Sequence, residues 1–123
     1  MDLNDLSYKI IGCVYKVHGA LGPGLMESTY EVCLEYELLN AGLLVERQKV
    51  LPVHYYSKLL DAGYKIDLLV EKMIILELKA VDEIAPIHKA QLMTYLKLSG
   101  MRLGLLLNFN VQDMKKGITR LVM

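Results

Sequence analysis

Two acidic residues and one lysine lie inside a segment of the chain that is otherwise mostly apolar. Asp67 is followed ten residues later by Glu77, and Lys79 comes two residues after that glutamate. Two apposed carboxylates repel each other, and one takes up a proton unless a cation lies between them. Mg²⁺ suits such oxygen ligands and also binds phosphate oxygens, while a nearby lysine can orient or deprotonate a water molecule. The residue types therefore indicate phosphodiester hydrolysis. The alternative is a strand hairpin with an edge salt bridge between Glu77 and Lys79.

The segments around these residues are expected to form two strands. Apolar residues recur with a period of two in residues 64–70 and again in residues 73–80, which is typical of half-buried or buried strands. A two-residue connection would place Asp67 on the opposite face of the sheet from Glu77, whereas a three-residue connection or a bulge would place the two side by side. Residues 71–73 contain neither Gly nor Asn, so the local sequence leaves both registers open.

A third carboxylate lies at the start of a predicted helix. The segment after Gly24 is expected to be helical as far as Ala41, where Gly42 stops it. Glu27 lies at the N-terminal end of the inward-facing stripe that continues with Tyr30. Glu27 therefore either points at the rim of the core, where it could join the site, or caps the helix as its third residue.

A later helix carries polar groups on one stripe. Pro86 suits the first turn of a helix, and His88, Gln91 and Tyr95 follow at spacings that put them on one face. A Gln and a Tyr on one face can contact phosphate or order a water molecule. The alternative is that Tyr95 is a core aromatic residue and that His88 lies on the helix surface.

The rest of the chain is expected to arrange these elements around a sheet. Helices are predicted over residues 4–18, 24–41 and 86–98, strands over residues 45–50, 52–56, 64–70, 73–80, 102–109 and 118–122, a polar turn over residues 57–62, and a helical turn over residues 112–116. The long connection after Ala80 allows two neighbouring strands to run parallel. The pattern predicts an α/β fold in which helices flank a central mixed β-sheet.

Composition favours one domain in a reducing compartment. The 123 residues, 54% of them hydrophobic, are enough for a single core, and no linker or repeat divides residues 1–123. Neither a long apolar run nor a signal-peptide pattern is present, so a cytoplasmic location without a membrane span is expected. Cys13 and Cys33 lie among apolar residues of predicted helices, which favours free thiols over a disulfide or a zinc site.

The charge balance sets a condition on binding to nucleic acid. The formal net charge is zero, whereas proteins that bind nucleic acid usually carry a basic patch. Basic residues concentrate in the C-terminal third, namely Lys89, Lys97, Arg102, Lys115, Lys116 and Arg120. Either this third faces DNA, or binding needs a partner or a homodimer. The same residues could equally form a solvated surface, and the many tyrosines and methionines could serve a dimer interface instead of a substrate.

The combination of motifs resembles the GxxExxY family of the PD-(D/E)XK nuclease-like superfamily. The resemblance rests on Gly24-x-x-Glu27-x-x-Tyr30, Asp67, Glu77-x-Lys79, Pro86-x-His88-x-x-Gln91-x-x-x-Tyr95 and Gly104-Leu-Leu-Leu-Asn108-Phe109, and it covers about residues 5–121. The order of the motifs looks like the RecB-type arrangement. The resemblance implies a restriction-endonuclease-like core and a metal-dependent nuclease that acts on DNA. Inactive relatives leave the alternative of a nuclease-fold module that binds nucleic acid or a protein partner without cleaving it.

The resemblance also implies roles for the acidic residues and the lysine. Glu27, Asp67 and Glu77 would hold Mg²⁺ or Mn²⁺, with the backbone carbonyl of Leu78 as a further ligand. Lys79 would be the catalytic lysine. These four side chains are the catalytic set that the resemblance implies.

Two further residues would serve the substrate. Gln91 and Tyr95 would position the substrate or organise the site. One departure from the superfamily pattern is visible, because Ile66 stands where the superfamily name places a proline before Asp67. Asn108 could contribute from the end of its strand, or it could be a strand-end turn residue.

Overall fold

A mixed sheet of five strands forms the centre of the protein, as seen in a computed structural model that describes residues 1–61 and 63–123. The strands are β1 (Val45–Val50), β2 (Val53–Tyr55), β3 (Lys58–Leu60), β4 (Lys65–Val70), β5 (Ile74–Lys79), β6 (Leu103–Asn108) and β7 (Ile118–Val122). The strand order is β1-β4-β5-β6-β7, and β2 pairs with β3 as a separate hairpin. Strands β5 and β6 run parallel, while the other neighbouring pairs in the sheet are antiparallel.

Helices cover both faces of the sheet. They are α1 (Leu3–Leu21), α2 (Glu27–Asn40) and α3 (Pro86–Ser99), and a 3₁₀ turn at Met114–Gly117 precedes β7. Helices α1 and α2 pack on one face in a core that includes the fully buried Tyr30 and Phe109. Helix α3 packs Leu92 and Leu96 against the other face in a second core. The α/β fold with a central mixed sheet is confirmed, including the parallel pairing across the long connection after β5.

The connection between β4 and β5 has three residues, and this decides the register that the sequence leaves open. Val70 pairs with Ile74, and the ladder continues in the same register for two more residue pairs. Extending that register by one residue sets Asp67 opposite Glu77. The two carboxylates therefore meet on the same part of the sheet, which the functional interpretation requires.

The connection achieves this register without glycine or asparagine. Glu71 and Lys72 both have left-handed backbone conformations, with φ of 53° and 55°, which cost a non-glycine residue roughly 1–2 kcal/mol each. Contacts from outside the hairpin hold Glu71 in place. Its backbone N–H donates to the Leu44 carbonyl, and its carboxylate accepts from the Leu44 N–H. A tertiary contact thus stabilises a turn that the local sequence does not favour.

Several predicted boundaries are wrong by a few residues. Helix α1 continues to Leu21, and α2 begins at Glu27 instead of directly after Gly24. The predicted polar turn over residues 57–62 contains strand β3, because Tyr56 adopts a φ of 54° and the chain reverses there to pair β3 with β2. Ala62, the last residue of that predicted turn, lies outside the described residues.

The structure bears on two expectations from composition, the state of the cysteines and the membrane span. Both cysteines are free, with Cys13 buried and Cys33 half-buried. None of the helices within residues 1–61 and 63–123 combines the length and apolar character that crossing a membrane requires.

Candidate active site

Two hydrogen bonds link the Asp67 and Glu77 carboxylates to the facing strand at the point where β4 and β5 stop pairing. The Asp67 backbone N–H donates to Glu77 Oε2 at 2.8 Å, and the Leu78 N–H donates to Asp67 Oδ2 at 2.9 Å. The last backbone pair of this ladder is Leu68 with Leu76. Beyond it, each carboxylate accepts a hydrogen bond from the facing strand, so the two acidic groups stand in the gap where the strands part.

The Glu77 carboxyl is strongly perturbed by this position. It is 4% exposed, and burial together with the charge of Asp67 raises its pKa to about 8, while the hydrogen bond from the Asp67 backbone and the charge of Lys79 oppose the increase. A buried carboxyl next to a second carboxylate favours its neutral form because the charged form is poorly solvated and repelled. Perturbation of this kind is common at functional sites.

Lys79 is half-buried at the end of β5, on the same face of the strand as Glu77. In the described part of the chain its ammonium group forms no ion pair. The alternative of an edge salt bridge between Glu77 and Lys79 is therefore wrong. The lysine supplies positive charge next to the carboxylates and keeps its N–H groups for another partner.

Glu27 lies beside the end of β5 and does not cap its own helix. It is the first residue of α2, whose N-cap is Met26, and no side chain caps that helix end. Its Oε2 instead accepts from the backbone N–H of Ala80 at 3.4 Å. The capping interpretation is wrong, and Glu27 is an exposed carboxylate at the rim of the gap between β4 and β5.

The Gly-x-x-Glu-x-x-Tyr segment has a structural explanation. Tyr30 is fully buried, stacks on Phe109 with ring centroids 4.6 Å apart, and donates its hydroxyl hydrogen to the Gly22 carbonyl at 2.6 Å. The same hydroxyl accepts from the Leu25 N–H at 3.1 Å. Gly24 has a φ of 101°, which favours glycine. The tyrosine and the glycine therefore fix the entry to α2, and that entry places the glutamate.

Sequence reasoning missed Glu31, which lies one helical turn after Glu27. Its carboxylate is 7% exposed and accepts from Arg47 Nε at 2.9 Å. Burial raises the pKa of the Glu31 carboxyl, the hydrogen bond from Arg47 opposes the increase, and the charge of Asp67 adds to it. The spacing of four residues from Glu27 puts both glutamates on one helix face, and this spacing is the signal that could have identified Glu31.

Gln48 connects Glu31 to Asp67. Its Nε2 donates to Glu31 Oε1 at 2.8 Å and to Asp67 Oδ1 at 3.3 Å. Gln48 lies opposite Asp67 in the register of β1 and β4, but the pairing is interrupted there and Gln48 has a left-handed φ of 52°. Such backbone strain is often found at functional sites. No periodicity in the sequence signals it.

Gln91 and Tyr95 lie one turn apart on α3, and Tyr95 lies near the two central carboxylates. Gln91 Nε2 donates to the Tyr95 hydroxyl at 3.3 Å. Burial raises the pKa of Tyr95, and the charge of Glu77 adds to the increase. Tyr95 is 7% exposed and packs in the second core, so it is a core aromatic residue that also lies close enough to the carboxylates to feel their charge.

Two other polar residues have structural contacts of their own. His88 Nδ1 accepts from the Ala85 N–H at 3.0 Å and so caps α3. Asn108 is 2% exposed and forms two hydrogen bonds with the backbone of Val81, one to its N–H and one to its carbonyl. Through these contacts, His88 and Asn108 stabilise the loop after β5.

A comparison with protein families identifies the chain. The model of the PD-(D/E)XK nuclease superfamily matches residues 4–121. The chain belongs to this superfamily. Neither the curated proteins nor the solved structures provide a match to it. Membership in the PD-(D/E)XK nuclease superfamily agrees with a restriction-endonuclease-like sheet flanked by helices and indicates a nuclease-type function and contact with nucleic acid. It does not distinguish the GxxExxY family, and it carries no information about a homodimer.

Nucleases of the PD-(D/E)XK superfamily generally use divalent metals, and the donors of this chain fit such an ion in chemistry. Burial and, after it, the charge of Asp67 raise the pKa of Glu77, and a cation between the two carboxylates would offset both effects. Within residues 1–61 and 63–123, however, no group of three or more His, Cys, Asp or Glu side chains is arranged as a set of metal ligands. A third carboxylate, from Glu27 or Glu31, would have to turn toward the pair.

Proposed function

We propose that the protein is a metal-dependent nuclease that hydrolyses phosphodiester bonds in DNA. The observation that carries the proposal is the pair of carboxylates of Asp67 and Glu77, each of which accepts a backbone hydrogen bond across the gap between β4 and β5. Lys79 lies on the same face of β5 as Glu77. Two carboxylates and a lysine with no ion-pair partner among the described residues are what metal-assisted hydrolysis of a phosphodiester needs. The superfamily membership supports the same reaction class.

In this proposal Asp67 and Glu77 hold Mg²⁺ or Mn²⁺, and Glu27 supplies a further carboxylate from the start of α2. Glu31 extends this set, because Gln48 already joins its carboxylate to that of Asp67. The backbone carbonyl of Leu78 lies on the side of β5 from which its N–H donates to Asp67, which supports it as a further ligand. When bound, the ion would polarise the phosphate and make a water molecule more acidic.

The other residues of the site act on the water and on the substrate. Lys79 orients the attacking water, takes a proton from it when it is in its neutral amine form, and as the resulting ammonium group stabilises negative charge that develops on the phosphate. Gln91 and the hydroxyl of Tyr95, which already share a hydrogen bond, position the substrate or a water molecule beside the carboxylates. Arg47 neutralises and holds Glu31, and thereby limits the repulsion among the three acidic groups.

A cleavage assay tests the proposal. Purified wild type, Lys79→Ala and Lys9→Ala are incubated with single-stranded, double-stranded and branched DNA in Mg²⁺, Mn²⁺ or EDTA. Wild type is expected to cleave at least one substrate, and only with metal. Lys9→Ala should behave like wild type, because Lys9 is an exposed residue of α1. Lys79→Ala should be about 100- to 10,000-fold slower, the usual contribution of a group that transfers a proton.

Binding of the ion is measured separately from cleavage. Mg²⁺ should raise the melting temperature of wild type and of Glu83→Gln, an exposed glutamate in the loop before α3, but not that of Asp67→Asn. If no DNA is cleaved and Mg²⁺ has no effect on wild type, the protein is an inactive nuclease-fold module that binds nucleic acid or a protein partner.

A further inference from the structure

A cleft lies between α3 and the chain segments that carry Val53 of β2 and Tyr64, and the described residues that line it are uncharged. Its volume is about 430 Å³, and its walls include Val53, Tyr64, Ile87, Gln91 and Tyr95. Most of the lining is apolar, with a few hydrogen-bonding groups and no charged side chain. Clefts of this size and composition accommodate small, flat, partly polar ligands.

Two tyrosines give the cleft its aromatic surface. The rings of Tyr64 and Tyr95 meet edge to face, with centroids 6.5 Å apart and planes at 64°. Tyr95 is 7% exposed, whereas Tyr64 is 48% exposed. Tyr64 can therefore turn a ring face toward a ligand, while Tyr95 stays fixed in the core behind it.

The cleft lies close to the candidate active site, because Tyr95 in its lining is near enough to Glu77 and Asp67 to feel their charge. Gln91 and Tyr95 belong to both, and Tyr64 precedes Asp67 by only three residues, so that their Cα atoms lie within about 11 Å of each other. A strand of nucleic acid whose phosphate lies at Asp67 and Glu77 would have its neighbouring base within reach of the cleft. The absence of charge in the cleft lining excludes it as a phosphate pocket and suits it to a base.

We propose that the cleft between Tyr64 and Tyr95 binds one unpaired nucleobase, and that the substrate is therefore single-stranded or frayed nucleic acid instead of an intact duplex. This inference rests on the proposed nuclease function, because it names the substrate class of that site. Tyr64 stacks on the base, and the Gln91 amide contacts the polar edge of the base. A base inside a duplex is already stacked and paired, and its extrusion costs a few kcal/mol.

The charge of the chain supports stacking as the source of affinity. The net charge is zero, so the release of counterions from phosphates contributes less here than in basic proteins. Stacking of a base on an aromatic side chain does not depend on net charge and tolerates any base sequence. Tyr55 and Tyr56 of the β2–β3 hairpin are exposed as well.

Binding without cleavage tests the inference. Fluorescence anisotropy is measured in EDTA with a labelled oligothymidylate, the same strand in a duplex, a strand of equal length with abasic sites, and an oligouridylate. Wild type should bind the single strands more tightly than the duplex. Tyr64→Ala should weaken binding about 5- to 150-fold, which corresponds to roughly 1–3 kcal/mol for one stacked base. Tyr64→Phe should bind like wild type because it keeps the ring.

The controls separate stacking from other effects. Tyr8→Ala removes a ring that is 83% exposed on α1, which packs on the other face of the sheet, and it should leave binding unchanged. The abasic strand should bind wild type as weakly as the thymidylate binds Tyr64→Ala. A preference between thymidylate and uridylate that persists when deoxyuridylate replaces thymidylate identifies DNA or RNA as the source of the base.

Failure of this inference can be distinguished from failure of the nuclease proposal. Equal binding by wild type and Tyr64→Ala, or tighter binding of the duplex, overturns the base subsite even if DNA is cleaved. Binding that depends on Tyr64 in a protein that cleaves nothing supports the base subsite and rejects the nuclease.

Discussion

Glu77→Gln is expected to make the free energy of unfolding less dependent on pH. The Glu77 carboxyl is almost completely buried beside Asp67, which raises its pKa from the ordinary 4.5 to about 8. The folded chain therefore holds a proton that the unfolded chain releases at lower pH. Because the unfolded state binds fewer protons across this range, the stability of wild type should fall as the pH rises. The favourable contribution is complete below the ordinary pKa and is lost as the pH passes through about 8.

The size of the effect follows from the two pKa values. Each pKa unit corresponds to 1.36 kcal/mol. The increase in the pKa of Glu77 from 4.5 to about 8 therefore corresponds to a loss of about 5 kcal/mol in the free energy of unfolding at high pH. This is comparable to the whole stability of a marginal domain, roughly 5–15 kcal/mol. Glutamine keeps the oxygen that accepts from the Asp67 N–H but cannot ionise. The Glu77→Gln variant should thus match wild type near the ordinary pKa and exceed it by a few kcal/mol in alkaline buffer.

The assay is urea unfolding followed by circular dichroism in EDTA, since the chain contains no tryptophan. Wild type, Glu77→Gln and Glu83→Gln are compared between about pH 5 and pH 9. Some pH dependence should remain in Glu77→Gln because burial also raises the pKa of Glu31. Glu83→Gln should follow wild type. Parallel curves for wild type and Glu77→Gln would show that the Glu77 carboxyl does not titrate as the structure implies, and would refute the reasoning.

Three further variants test how the chain supports the site. Tyr30→Phe should lower stability by roughly 1–2 kcal/mol in urea unfolding, because its hydroxyl no longer bonds to the loop before α2; unchanged stability would contradict this role. Gly117→Ala should cost about 3 kcal/mol or more, since an added Cβ would lie 2.2 Å from the Asn108 carbonyl oxygen; a soluble variant with the wild-type melting temperature would exclude that clash. Lys72→Gly should raise the melting temperature, with a gain of about 1 kcal/mol from its φ of 55°, whereas Lys72→Ala should give no gain.

The strands and the parallel connection could be predicted because they depend on local patterns. Apolar residues alternate through β4 and β5, and both pack one face against each core, so periodicity alone located them. The register between them could not be predicted. It depends on left-handed conformations at Glu71 and Lys72 that a contact with Leu44 stabilises, and Leu44 is distant in sequence. A turn that is determined by tertiary contacts has no local signature.

Only those residues of the candidate site that break a local pattern stand out in the sequence. Asp67 and Glu77 stand out because they are charged residues in apolar strands. Glu31 does not stand out, because an acidic residue on a helix is ordinarily solvated. It becomes part of the site only through Arg47 and Gln48, which a different strand brings to it. The spacing of four residues from Glu27 places Glu31 on the same helix face, but the contacts that give Glu31 its role come from a distant strand.

The electrostatics of the site support the proposal that it binds a divalent metal ion. Burial raises the pKa of Glu31 and of Glu77, and the charge of Asp67 adds to both increases. The Gln48 amide also links Glu31 to Asp67, and this arrangement lowers stability at neutral and alkaline pH. A glutamine or an apolar residue in place of Glu77 would remove that penalty. A bound divalent cation would remove this penalty as well, but only while the ion is bound. If Mg²⁺ stabilises wild type more strongly as the pH rises and leaves Glu77→Gln unaffected, the cost of the buried carboxylate is explained by metal binding. Equal stabilisation of both proteins would mean that the ion binds elsewhere.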